Sequence, residues 1–145
     1  SATALGNGMP IGAVLAKGEI AEAFHPGDHG STFGGNALAC AAGCAVMNTM
    51  LSENIPQKAA ETGEYFMQQL KTLQGVKGAI SDVRGAGLLI GVELNGVQAG
   101  EIVGKLLQKG FVAGTAAGNV LRLLPPLIIE KSDCDAFVAA LDELL

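Results

Sequence analysis

Apolar and polar positions follow several different periods along this chain, and each period predicts a different element. Glycines at positions 6, 8 and 12 mark a loop, which runs into an apolar stretch over residues 11–16, bounded by Pro10 and by Lys17-Gly18. Such a run predicts a short buried strand. No element precedes it, so its partner strands are expected in a further part of a longer protein. Residues 19–24 predict a short helix stopped by Pro26-Gly27, and residues 25–35 (HPGDHGSTFGG) a loop. Asn36 is placed as an N-cap for a helix over residues 37–52. Its narrow face of Ala37, Ala41, Cys44, Ala45 and Asn48 suggests close packing and extensive burial.

The pattern changes after residue 54. Pro56 stands at the first turn of a helix reaching about residue 73. There Lys58, Glu61, Glu64 and Lys71 alternate with Ala59, Phe66, Leu70 and Leu73, the signature of an amphipathic surface helix. Residues 79–84 and 88–94 predict two strands separated by Gly85-Ala86-Gly87. Residues 97–109 predict a helix closed by Gly110. Residues 111–114 and 120–124 predict two more strands, the second ended by Pro125-Pro126. A last helix is expected from Ser132 as its cap, with Asp135 completing an imperfect capping box and Val138, Leu141 and Leu145 facing inward. Strands followed by separate helices predict an α+β domain with a largely antiparallel sheet. The candidate domain boundary falls near residue 54, dividing residues 1–53 from residues 54–145.

Composition narrows the possible functions. Hydrophobic residues make up 49%, enough for a core, and the net charge of −5 with only 9 Lys and Arg leaves no basic footprint for nucleic acid or an anionic membrane. No run approaches the roughly 18 apolar residues of a membrane span, and residues 1–12 lack the basic stretch of a secretory signal. Three cysteines make an odd number, and Cys40 and Cys44 stand four apart on one predicted helix, a spacing poorly suited to a disulfide. They read as small buried hydrophobes in a reducing, cytoplasmic setting.

Four constellations could carry chemistry. Gly6-Asn7-Gly8-Met9-Pro10-Ile11-Gly12 has glycine-loop character, but its spacing and the proline that follows do not match a nucleotide fingerprint; a tight turn with positive φ accounts for it. His25 and His29 flank Pro26-Gly27, so no helix aligns them, and too few further ligands lie near for a metal site. Ser31 and Thr32 lie in a glycine-flanked loop just before a helix, where hydroxyls and free N–H groups suit a phosphate. An ordinary capping loop, with Thr32 and Asn36 bonding the backbone, explains the same residues, and residue chemistry leaves both readings open. Arg122, inside the apolar run 121–124, either faces solvent or pairs its planar fork with a carboxylate of the protein or of a ligand. Arg84 has the same ambiguity and reads as structural.

Taken in order, LGNGMPIGAVLA, HGSTFGGNALACAA, VRGAGLLIGVEL and LRLLPPLII resemble the C-terminal part of the class III, ornithine-type aminotransferases, which use pyridoxal 5'-phosphate. The resemblance covers essentially the whole chain and lies nearest the acetylornithine branch. It implies the end of a fold type I large, cofactor-binding domain over residues 1–53, followed by the C-terminal small α+β domain. It also implies a homodimer with active sites at the subunit interface. Transfer of an amino group between N-acetylornithine and 2-oxoglutarate is the implied activity, with ornithine, succinylornithine or 4-aminobutyrate as alternative donors. By resemblance Thr32 binds the cofactor phosphate across the dimer, Ser31 lies beside it near the substrate, and Arg122 holds the substrate α-carboxylate. The family's Schiff-base lysine is not matched: Thr3 occupies its place and has no amine. Thr3 fits an artificial end, an inactive variant, or a non-catalytic binding or regulatory module of this fold. Ala37 replaces a proline usual in the family after GGN, a change of little consequence.

Overall fold

In the computed structural model of the chain, residues 3–116 and 118–145 are described, the side chain of Thr3 excepted. The chain separates into two compact units, Ser1–Asn54 and Ile55–Leu145.

The first unit opens with a 3-10 turn, Thr3–Gly6. Asn7 and Gly8 then take φ of 46° and 103°, and the glycine meets that demand without strain. Residues 11–16 do not form the expected strand. They run as irregular chain, with Val14 91% and Leu15 92% exposed. A strand needs a neighbouring strand to pair with, and none of the described strands lies in a ladder with residues 11–16. Helix α1 (Gly18–Glu22) is short. Helix α2 spans Ala37–Ser52; Asn36 caps it by accepting from the Ala39 N–H at 2.9 Å. The anticipated burial of α2 is corrected. Its buried positions are Ala39 and Gly43, while Ala37, Ala41, Cys44, Ala45 and Asn48 are exposed. Gly43 marks where the helix meets the N-terminal turn, since a Cβ there would lie 3.3 Å from Ile11 Cδ1. Cys40 and Cys44 are likewise exposed rather than core residues. Asn54, with φ of 52°, ends α2 in the left-handed conformation that asparagine tolerates.

The second unit is a two-layer α+β domain. Its elements are α3 (Ile55–Val76), β1 (Ile80–Ala86), β2 (Leu89–Leu94), α4 (Ala99–Gln108), β3 (Gly114–Ala116), β4 (Val120–Leu123) and α5 (Lys131–Asp142). The four strands lie in the order β1-β2-β4-β3, every neighbouring pair antiparallel. Helix α3 packs on β1, β2 and α5, and α4 on β3 and β4. Between the layers lie Phe66, Leu70, Ile90, Val92, Ile102, Leu106, Leu121 and Leu141. Phe137 stands edge-on between the rings of Phe66 and Phe111, at 5.6 and 5.5 Å.

Local details place these elements. The β1–β2 hairpin turns through Gly87-Leu88 alone, with positive φ at Gly87, so Gly85 and Ala86 belong to the strand rather than the turn. A register shift between Ile80 and Asp82 lets Ile80 and Val83, three positions apart, both be buried. Gly63 allows α3 to touch that turn: a Cβ there would lie 2.1 Å from the Gly87 carbonyl oxygen. Helix α4 ends in a Schellman motif, with Phe111 N–H bonded to Leu106 O and Gly110 N–H to Leu107 O. Strand β3 begins at Gly114, later than anticipated, because Phe111 is drawn into the Phe137 ring stack. The cap of α5 is Glu130, not Ser132. Asp133, not Asp135, reaches back to accept the Glu130 N–H at 3.1 Å. Asp135 instead accepts from the Tyr65 hydroxyl at 2.7 Å.

Candidate functional site

Alternation along the strands gives the sheet two unlike faces. Val83, Ile90, Val92, Leu121 and Leu123 point into the core. On the opposite face, one row across the sheet reads Arg84, Gly91, Arg122, Gly114, each residue directly paired with the next. The adjacent row reads Asp82, Glu93, Val120, Ala116. Residues directly opposite in antiparallel strands share a face. Two arginines therefore stand on one open surface with a glycine between them.

The two arginines are engaged differently. Nη1 of Arg84 donates to Asp82 Oδ2 and to Glu93 Oε2, each at 2.6 Å. The hydrogen bond to Asp82, then that to Glu93, hold its guanidinium above the ordinary arginine pKa. Arg84 is thus a structural arginine. Arg122 lies on β4, between β2 and β3, and is exposed. Its guanidinium makes no ion pair or hydrogen bond among the described residues. It leans over Gly114, where a Cβ would sit 3.8 Å from its Nε and Nη2. The glycine leaves room beside a planar fork whose donors suit a carboxylate.

In the first unit, Ser31 and Thr32 lie in one exposed turn closed by the Gly34 N–H bonding to Ser31 O at 3.3 Å. Gly35 has φ of 71°. Asn36 carries the capping, donating to Phe33 O and accepting from Ala39 N–H. The Thr32 hydroxyl has no hydrogen-bond partner among the described residues. A free hydroxyl in a turn before a helix fits a phosphate oxygen. The Thr3 side chain, where the family's lysine would stand, lies outside the described residues. His25 is tied locally, its N–H bonded to Asp28 Oδ2 at 2.7 Å. Among the described residues, no group of three or more His, Cys, Asp or Glu is placed to hold a metal ion. No helix among them is long and apolar enough to cross a membrane.

An apolar groove of about 650 Å³ opens beside Phe111, Pro125, Pro126 and Phe137. The charged residue in its lining is Asp133, which accepts a backbone bond from Glu130. It offers no cation for an acidic substrate, so the open face of the sheet is the better candidate.

The whole chain, residues 1–145, matches the family described as Aminotransferase class-III. The chain belongs to that family. Acetylornithine aminotransferase of Methanothermobacter thermautotrophicus is 44% identical over 144 residues, which cover 99% of this chain and 37% of that protein. Its counterpart in Methanocaldococcus jannaschii is 48% identical, with 99% and 36% covered. Among solved structures, acetylornithine aminotransferase from Elizabethkingia anophelis superposes with a TM-score of 0.87 at 34% identity, covering 98% of this chain and 37% of the other. Ornithine aminotransferase from Toxoplasma gondii gives a TM-score of 0.87 at 31% identity, covering 98% and 35%. This class-III chain therefore spans little more than a third of the length of the relatives it matches.

The family resemblance expected from the sequence is thereby established, as is the antiparallel α+β architecture of the second unit. Sequence reasoning marked Arg84 as structural and left Arg122 either solvent-facing or paired with a carboxylate, the latter by resemblance a substrate's. It missed Asp82 and Glu93, whose role depends on cross-strand register and a bulge.

Proposed function

We propose that this chain is the C-terminal part of a pyridoxal-phosphate aminotransferase that moves an amino group between N-acetylornithine and 2-oxoglutarate, in arginine biosynthesis. On this reading residues 1–53 end a large cofactor-binding domain and residues 54–145 form the small domain. The observation that carries it is the guanidinium of Arg122, unpaired among the described residues, set on a strand and given space by Gly114. Both substrates are carboxylates, and a fork without a partner among the described residues is suited to hold either by two parallel bonds. The choice of N-acetylornithine follows the names of the relatives matched over nearly the whole chain.

When bound, pyridoxal phosphate supplies the electron sink that makes amino transfer possible. Thr32 would hold its phosphate, with its free hydroxyl as donor, and Ser31 would lie beside it near the substrate. Arg122 would orient the substrate by its α-carboxylate. Thr3 has no amine, so this chain alone has no group at that position for covalent attachment, and no step is assigned to it. By family resemblance the parent is a cytoplasmic homodimer whose sites lie at the subunit interface. Thr3 favours one second reading, a non-catalytic module; a different ω-amino donor remains an alternative within the family.

The test is steady-state kinetics of a full-length, lysine-bearing enzyme carrying this segment. Arg122→Lys should raise KM for both substrates and lose on the order of 2–4 kcal/mol of transition-state stabilisation, because lysine cannot reproduce the fork. The melting temperature should hold, since Arg122 is exposed and pairs with none of the described residues. Normal kinetics in the folded fraction would exclude Arg122 as the clamp. Thr32→Ala should weaken cofactor binding by roughly 1–3 kcal/mol, the scale of one hydrogen bond to a charged group.

A further inference from the structure

Glycine is a poor strand residue, because it loses the most backbone freedom on folding and has no side chain to pack. Inside a strand it marks a bulge, or the close approach of another backbone or of a ligand. The strands here contain Gly85, Gly91 and Gly114. Packing explains the first two. A Cβ at Gly85 would lie 2.3 Å from the Leu89 carbonyl oxygen, and one at Gly91 would lie 3.3 Å from Val120 Cγ1. Gly114 is different. Its φ is outside the left-handed region, and among the described residues a Cβ there would meet nothing nearer than 3.8 Å, an ordinary contact. Neither backbone conformation nor packing against the described residues requires a glycine at that position.

What Gly114 faces is the head of Arg122, its direct partner on β4. The Cβ position is 3.8 Å from Nε and 3.8 Å from Nη2. The N–H groups of those two nitrogens point the same way, and they form an edge that a carboxylate takes by two parallel bonds. A side chain at position 114 would rise from the sheet beside that edge. We infer that Gly114 is a specificity-determining residue of the carboxylate site: its missing side chain leaves the Nε–Nη2 edge of Arg122 open to a carboxylate, and a branched apolar side chain there closes it. The carboxylate is the substrate's, or one that the parent protein carries outside this chain; the chemistry at the edge is the same. The inference rests on the proposal that Arg122 is a carboxylate ligand.

The experiment uses the full-length enzyme carrying this segment. It reads glutarate affinity by calorimetric titration and the melting temperature of the ligand-free protein. Glutarate is a dicarboxylate that has no amine or ketone to react. Arg122→Lys tests the underlying reading: if neither quantity changes, that reading fails and this inference with it. Given a change there, Gly114→Val should weaken glutarate binding roughly tenfold. Its melting temperature should hold or rise, because valine favours strands where glycine does not. That pair of results assigns the carboxylate to the substrate. A melting temperature lowered by Gly114→Val alone, but not when Arg122→Lys is already present, assigns it to the protein. Gly114→Ala adds one methyl at ordinary contact distance and should stay within about twofold of wild-type affinity. Beside Arg122→Lys, Gly114→Val should cost no more than about a further twofold, since both act on one edge. Wild-type affinity and melting in Gly114→Val, a loss in Gly114→Ala as large as in Gly114→Val, or the full loss repeated beside Arg122→Lys would each overturn the role of Gly114 while leaving Arg122 as the ligand. Gly114→Thr, likewise branched, replaces Gly114→Val if the melt shows that variant unfolded.

Discussion

In Ile55–Leu145, Leu70, Leu106, Leu121 and Leu141 are sealed from solvent; in Ser1–Asn54, Val14, Leu15, Leu38 and Leu51 stand largely exposed. Both regions are rich in apolar residues. They differ in whether the chain supplies an opposite face. In the second unit, amphipathic helices lie over a sheet whose core-facing positions alternate with polar ones, so each apolar stripe meets another. In the first, α2 is apolar around most of its circumference, and its buried positions are Ala39 and Gly43. An apolar run is a core segment only where a partner surface faces it.

Matched substitutions in the two units can break that comparison. Leu70→Ala should cost about 3–5 kcal/mol through lost burial and a residual cavity, whereas Leu51→Ala should stay within about 0.5 kcal/mol. Urea midpoints of the two variants check this, and equal losses would remove the distinction. Glycines give a second pair. Gly63→Ala forces a methyl group into the Gly87 carbonyl and should destabilise by about 2–3 kcal/mol. Gly43→Ala meets the tip of Ile11 at 3.3 Å and the Leu5 carbonyl oxygen at 4.0 Å, and should fall within about 1 kcal/mol of wild type.

Proton linkage sharpens the contrast further. Burial, then the Asp135 and Asp133 charges, push the Cys134 thiol above its ordinary 9.0. The hydrogen bond to Asp135 raises Tyr65 above 10.0. In both cases the unfolded chain loses its proton first. The second unit should therefore keep this stability below about pH 9 and lose it as pH rises beyond. Unfolding midpoints measured from pH 7 to 11 test the sign, and Cys134→Ala should flatten the curve. The smallest effect concerns reactivity rather than stability. A maleimide should label exposed Cys40 and Cys44 in the native chain, and Cys134 only after denaturation. Mass spectrometry of the adducts reads the outcome.

What could be read from the sequence was what is local. Asn36 announced the start of α2 because its cap acts three residues away. Gly110 marked the end of α4 because a left-handed residue follows the last turn. The amphipathic stripe of α3 identified its buried face. What escaped depends on contacts distant in sequence. Asn119 is an example: its side chain accepts from the Ala99 N–H and donates to Leu94 O, so α4 is capped by a residue twenty positions later. The strand expected over residues 11–16 failed because pattern specifies a preference for pairing but cannot supply a mate. At the candidate site, the sequence marked Arg84 as structural and, by resemblance, Arg122 as a carboxylate ligand. The acids that hold Arg84, Asp82 and Glu93, emerged only with the cross-strand register.

The placement of Arg122 on a strand flanked by β2 and β3 also bears on how its position can be lost. Surface loops open by local fluctuation, while amides in the interior of a sheet exchange with solvent only in larger, cooperative openings. Val120–Leu123 has neighbours on both edges, and the side chains of Leu121 and Leu123 are buried in the core. The backbone beneath the guanidinium therefore belongs to the slowest-exchanging part of the unit. Its geometry persists through the fraying of helix ends and disappears only when the core itself melts, so the anchor is present or absent as a whole.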